Sequence, residues 1–300
     1  MSTPRNDRRS PAASARALEL ERPLTARSAI ASLLLGTHPP RLRGALLVRW
    51  CERLGIAEGT ARVALSRMVE AGEARSSDGH YELTGRLEAR QVTQDWSLAP
   101  ALGPWDGDWL LHIVRAGPRP AASRARLRQA ATRARLAELR EGVWGRPDNL
   151  PAAATAAETA AVLAEQTNRW RARPDADGDG AGPELPTLHG PTVDDPVRDG
   201  SAVAVATLFD LAATAARAHE LLDRLVRLTG ALEAGDADLA EAFVVGAAAL
   251  QHVRRDPLLP VDLLPDDWPM GALRLAYGRY QRAFEASVQH WFSSATAAAG

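Results

Sequence analysis

Glu58-Gly59-Thr60-Ala61-Arg62-Val63-Ala64-Leu65-Ser66-Arg67-Met68 is the stretch on which the reading of this chain turns. Ala61, Leu65, Met68 and the following Val69 recur at helical spacing, which predicts a helix from about Glu58 to Ala71 with those four facing inward. Gly72 is placed to terminate it. Thr60, Arg62, Val63, Ser66 and Arg67 then project outward, mostly near the N-terminal end. Arginine can clamp the O6 and N7 of guanine, and serine or threonine can donate to phosphates. A solvated polar face would look the same in isolation, so the neighbouring segments decide.

Working outward, Thr25 is a suitable N-cap for a short helix with Ile30, Leu33 and Leu34 on one face, stopping near Gly36. A break at residues 37–40 follows. The pattern Leu42, Leu46, Trp50 and Leu54, with Leu47 and Cys51 alongside, predicts a second helix, and Gly55-Ile56 a turn. Downstream of Gly72, Ala74 and Tyr81-Glu82-Leu83-Thr84 flank a Ser76-Ser77-Asp78-Gly79 tip, which reads as a hairpin. Helix, helix, turn, helix and hairpin in this order is the plan of a winged helix-turn-helix. Double-stranded DNA is the implied partner, with Arg75 at the hairpin base and His80 near its tip as further contacts.

The charge distribution supports a nucleic-acid partner at one end. The net charge of −1 conceals +5 over residues 1–90, +4 over 91–173 and −10 over 174–300. Every one of the 36 basic residues is Arg, a planar and permanently charged donor. The single cysteine, Cys51, excludes an internal disulfide and reads as a packed thiol. No apolar run approaches the roughly 18 residues of a membrane span and no leader is apparent, so the expected location is cytoplasmic.

The rest of the chain divides by composition. Residues 1–22 read as a disordered arm, 23–90 as the DNA-binding domain, 100–175 as a central domain, 176–200 as a linker and 201–295 as a helical C-terminal domain. Residues 91–104 read as a connector. Trp109, Leu110, Leu111, Ile113 and Val114 suit a buried strand, Ser123 to about Leu139 an Arg-studded helix, and Glu141-Gly142-Val143-Trp144 a second strand. Asn168 to Arg173 reads as another strand, and the Ala-rich stretch 152–165 as helix by propensity. Strand, helix, strand implies a small α+β or α/β unit. Three long apolar stripes follow, through Leu208–Leu225, residues 237–254 and Leu273–Trp291. Four prolines between Asp256 and Pro269 forbid an α-helix between the last two. The fold class expected is mainly α with a small α+β part.

Catalysis finds little support. The seven His are scattered without metal-ligand spacing, and no phosphate-cradling glycine loop, nucleophile elbow or Cys/His pair is present. Asp175, Asp177 and Asp179 fall at two-residue steps but lack the glutamate that completes a calcium loop. The expectation is therefore no cofactor, no metal and no catalytic residue. The alternative, a nucleic-acid- or CoA-processing enzyme with an accessory DNA-binding head, would require a catalytic constellation that the sequence does not display.

Thr25-Ala26-Arg27-Ser28-Ala29-Ile30 followed by Thr60-Ala61-Arg62-Val63-Ala64-Leu65-Ser66-Arg67-Met68 resembles the head of the PaaX family of phenylacetate-degradation repressors. Trp105-Asp106-Gly107-Asp108-Trp109, the helix containing Arg124, Arg126, Leu127 and Arg128, and Gly142-Val143-Trp144 with Pro147 are similar to that family's central domain. The segment from Asp256-Pro257-Leu258-Leu259-Pro260 to Trp268 resembles its C-terminal signature. The resemblance implies a winged helix-turn-helix, a ferredoxin-like centre and a helical C-terminal domain. It also implies a homodimeric repressor on a palindromic operator, released by an acyl-CoA such as phenylacetyl-CoA. Trp105, Trp109, Arg128 and Trp144 are the residues expected to meet that ligand. The family's centre is similar to a small nuclease fold with an acid ending the first strand. Here that strand ends in Val114-Arg115-Ala116, which argues against nuclease activity.

Overall fold

The computed structural model describes residues 25–37, 39–173 and 202–297. The arm at 1–22, the linker at 176–200 and the aspartates at 175, 177 and 179 lie outside them. The chain is mostly helical with two small antiparallel sheets. It divides into two compact units. One holds residues 25–99, 217–254 and 269–297, the other residues 100–173, 202–216 and 255–268.

In the first unit, helix α1 (Ala26–Leu35) starts at a capping box in which the Thr25 hydroxyl accepts from the Ser28 amide and the Ser28 hydroxyl accepts from the Thr25 amide. Residues expected to open the second helix instead form strand β1 (Arg41–Arg43). Pairing with the hairpin explains this correction: Arg41, Leu42 and Arg43 lie opposite Glu82, Tyr81 and His80, and the Pro40 carbonyl accepts from the Leu83 amide at 3.1 Å. Leu42 is therefore a strand residue paired with Tyr81. Helix α2 (Gly44–Arg53) buries Leu47, Val48, Trp50 and Cys51, and burial raises the Cys51 thiol to about 11.

Helix α3 (Glu58–Glu70) buries Ala61, Leu65 and Met68, whereas Val69 is 38% exposed, against expectation. The helix ends in a Schellman turn: the Glu73 amide donates to the Met68 carbonyl and the Gly72 amide to Val69, with Gly72 at φ +66. Strands β2 (Ala74–Ser77) and β3 (His80–Leu83) follow, with β3 central in the order β1-β3-β2. Asp78 and Gly79 both have positive φ, as a two-residue turn matched to strand twist requires. The segment read as a connector is largely helix α4 (Arg86–Leu98). Its buried face carries Gln91, Gln94 and Ser97, and that polar composition hid it from an apolar-periodicity reading.

The second unit is built on strand β4 (Trp109–Val114), helix α5 (Ala121–Arg133), strands β5 (Ala137–Arg140) and β6 (Val143–Pro147), helix α6 (Ala157–Gln166) and strand β7 (Thr167–Ala172). The sheet is antiparallel in the order β5-β6-β4-β7. Helix α5 stops six residues short of Leu139. Arg135, at φ +57, closes another Schellman turn, so Leu139 falls on β5. One sheet face packs Trp144 with Leu127, Ala131, Val162 and Leu163. The other packs Trp109 with Val205, Leu211, Leu259 and Leu263. A Cβ on Gly145 would meet Leu111 and Leu139 at 2.8 Å, so that second face needs glycine there.

Helices α7 (Ala202–Leu208), α8 (Leu211–Ala234), α9 (Leu239–Arg255) and α10 (Met270–Ala297) complete the chain, and the boundary between units falls inside α8. From Leu211 to Leu225 the buried stripe runs through Ala218 and Leu221, while Leu222 is half-buried. As expected from its prolines, the 256–269 segment holds no α-helix, only a single 3₁₀ turn at Val261–Leu263.

Within the second unit, Arg146 is 2% exposed and donates to the carbonyls of Pro147, Pro257 and Leu258 and to Asn149 Oδ1. Desolvation, then the nearby Arg135, lowers its pKa to about 9, which leaves it charged at neutral pH. Arg146→Met orphans several buried carbonyls and is expected to cost about 3 kcal/mol, read from urea unfolding.

His112 donates from Nδ1 to the Thr167 hydroxyl, whose own proton goes to the Leu163 carbonyl. Desolvation and then Arg169 lower its pKa below the usual 6.5. Unfolding below about pH 6.5 therefore takes up a proton at this site, so stability falls with acidification until the lowered native value is passed. The melting temperature of His112→Gln should fall less steeply than that of the parent from pH 7 to 5.

Candidate nucleic-acid interface

All five residues predicted to face outward on α3 do so: Thr60, Arg62, Val63, Ser66 and Arg67 are exposed. They form two adjacent rows. Arg62 and Ser66 stand one turn apart, with the Ser66 hydroxyl bonded to the Arg62 carbonyl at 3.3 Å. Thr60, Val63 and Arg67 line a shallow hollow together with Gly59, Ala64 and Arg27. Val63 is 51% exposed, an apolar contact of the kind that meets a thymine methyl.

The hairpin supplies the two remaining residues. Arg75 on β2 is exposed and pairs with Glu82 at 2.9 Å. His80 opens β3, half-buried, with Nδ1 donating to the Asp78 carbonyl at 3.0 Å, so Nε2 is its other polar atom. Gly44 N donates to the Gly79 carbonyl at 2.8 Å, tying the start of α2 to the hairpin tip.

Sequence reasoning missed three cations in this unit. Arg41 and Arg43 are exposed on β1, next to β3, because that segment is strand and not helix. Arg27 opens α1 yet lines the α3 hollow, held by a bidentate pair to Glu73, 46 residues away. Hydrogen bonding to Glu73 raises its pKa. No local signal marks Arg27, whose placement follows from how α1 packs on α3.

Of the four residues expected to meet a ligand, Trp105 packs against the cluster that holds Trp109, while Trp144 belongs to another. Trp109 and Trp144 fill separate cores: His112 pairs with Trp144, and residues 109 and 112 point to opposite faces of a strand. Trp105 is half-buried, its Nε1 donating to the Asp108 carbonyl at 2.7 Å, and Arg128 is exposed on α5. Among the described residues no group of three or more His, Cys, Asp or Glu is placed to hold a metal ion, and no helix is long and apolar enough to cross a membrane.

Residues 25–87 match the family described as PaaX-like protein, and residues 209–294 match the PaaX-like protein C-terminal domain. Among solved structures, the uncharacterized protein Rv0674 from Mycobacterium tuberculosis is similar at a TM-score of 0.64 and 36% identity, over 89% of this chain and 98% of that chain. No curated protein matches.

Arg62 is held by Glu58 at 2.7 Å, but both side chains are more than half exposed, and such a pair is worth under about 1 kcal/mol. Glu58→Gln should leave the urea midpoint nearly unchanged while tightening non-specific DNA association at low salt, measured by fluorescence anisotropy.

Proposed function

The chain belongs to the PaaX-like protein family, and from that premise we propose that it is a DNA-binding transcriptional regulator of phenylacetate catabolism, acting as a repressor. The observation that carries the reading is the exposed face of α3, with two arginines, two hydroxyls and one valine free of core duties. We read α1 to β3 as a winged helix-turn-helix in which α3 enters the major groove. Arg62 and Arg67 clamp base edges or phosphates, Thr60 and Ser66 donate to the backbone, and Val63 supplies an apolar contact. Arg75 and His80 reach the flanking groove from the hairpin, and Arg27, Arg41 and Arg43 extend the phosphate-binding surface.

The second unit runs β–α–β–β–α–β with its first and third strands central, which supports a ferredoxin-like reading. In this proposal the chain works as a cytoplasmic homodimer on a palindromic operator, with half-sites about 34–36 Å apart or a multiple of that. An acyl-CoA such as phenylacetyl-CoA releases it by binding better to a state that fits the operator poorly. Of the tryptophans and arginine assigned to that ligand, Trp105 and Arg128 offer accessible surface, whereas Trp109 and Trp144 act through the cores they fill.

Arg62→Ala and Arg67→Ala should each reduce specific operator affinity by ten- to a hundredfold and lower the salt slope by about one, with unfolding unaltered. Unchanged affinity in a gel-shift titration would refute the assignment.

A further inference from the structure

A cavity of about 400 Å³ opens within the first unit, remote in sequence from the α3 face. That size lies in the range of small-ligand sites. Its walls are aromatic: Phe243 from α9, and Tyr277, Tyr280, Phe284 and Phe292 from α10. Gly246 makes the shape possible, since a Cβ there would lie 2.4 Å from the Tyr280 hydroxyl. That hydroxyl is spent on the Ala242 carbonyl at 2.6 Å.

Two deeply buried polar groups on the wall are not spent. Gln94 is 5% exposed and Tyr277 7%, and neither side chain hydrogen-bonds to a described residue. Both line the cavity, where an occupant can meet them. Burial, then Glu285 and Asp95, raises the Tyr277 pKa, which keeps the phenol a donor. An unpartnered amide and phenol in an apolar recess are costly unless an occupant supplies acceptors. The charged wall residues, Arg254 and Glu285, are of opposite sign, and Glu285 already accepts from Gln281 at 3.0 Å. The site therefore favours a neutral polar group over a carboxylate.

Part of the wall comes from the elements read as DNA-binding. Ser32, Leu33, Leu35, Gly36 and Thr37 come from α1 and the turn after it, and Leu42 from β1, which pairs with the hairpin. We propose that this cavity binds a small aromatic carbonyl compound, neutral at its polar end, with Gln94 and Tyr277 donating to the carbonyl, and that its occupancy shifts α1 and β1 and so sets operator affinity. The regulatory half rests on the repressor reading above; the binding half does not.

The test uses the full chain and methyl phenylacetate as probe, read by saturation-transfer NMR. The ester should give saturation transfer at its ring protons. Ala247→Phe, which fills the cavity, should weaken the signal at least tenfold with an unchanged melting temperature. Should that variant fail to fold, Ser32→Leu fills the opposite wall. The double variant Gln94→Leu, Tyr277→Phe should also weaken binding about tenfold. No transfer to the parent protein, or transfer unchanged in the variants, overturns the site. In parallel, methyl phenylacetate is titrated against the protein–operator complex, whose affinity should shift in the parent and not in the filled variant. An affinity unmoved in the parent, or moved equally in both, would leave the repressor reading standing and refute the proposed coupling. Ester binding without operator binding would keep the site and refute the repressor reading.

Discussion

Trp50 has no exposed surface, and three aromatic rings meet it edge-on: Phe243 at 5.3 Å, Phe284 at 5.9 Å and Trp291 at 6.1 Å between centroids. Those partners come from α9 and α10, about 190 to 240 residues further along the chain. Edge-to-face contacts of this kind add about 0.5–1.5 kcal/mol each beyond the area they bury. They fix α2, and α2 in turn seats α3. Helix α3 therefore depends on C-terminal helices for its position. Because Phe243 and Phe284 also wall the cavity, the packing that steadies the head adjoins the space an occupant would enter. The Trp50 Nε1 proton finds no oxygen or nitrogen acceptor there, so shape and ring electrostatics hold the cluster together.

A chain without lysine must use one cation for every task, and the contrast between Arg146 and Arg62 shows how far context divides them. Arg146 spends its guanidinium on backbone carbonyls and Asn149, fastening residues 257–258 to strand β6. Leu258, held at φ +52, is part of what that network stabilises. Among the described residues the Arg62 guanidinium meets only Glu58, in an exposed pair weak enough for a phosphate to replace. The same planar fork serves rigidity where it is buried and exchangeable contact where it is exposed.

Much of the head was legible because its signals are local. Thr25 caps α1, Gly72 stops α3, Asp78-Gly79 turns the hairpin, and Ala61, Leu65 and Met68 mark the inner face. Once that face is known, Thr60, Arg62, Val63, Ser66 and Arg67 are left outside by geometry. The errors share a cause as well. Leu42 and Leu139 continue a helical apolar pattern, but pairing of residues 41–43 with β3 and the turn at Arg135 place them on strands. Helix α4 escaped notice because, after Leu87, its buried side chains are Gln91, Gln94 and Ser97; Gln91 donates to the Leu35 carbonyl and Ser97 to that of Thr93.

By itself, then, the sequence determined the α3 surface, the hairpin and the strand–helix alternation of the centre, since capping, turn chemistry and periodicity act over a few residues. Tertiary structure decided which distant segments share a core. It placed Arg27 beside α3, set Trp109 and Trp144 on opposite sheet faces, and gathered Gln94 and Tyr277 around one cavity. Those outcomes depend on which apolar faces find each other, a choice made by shape complementarity over the whole unit and written in no single stretch.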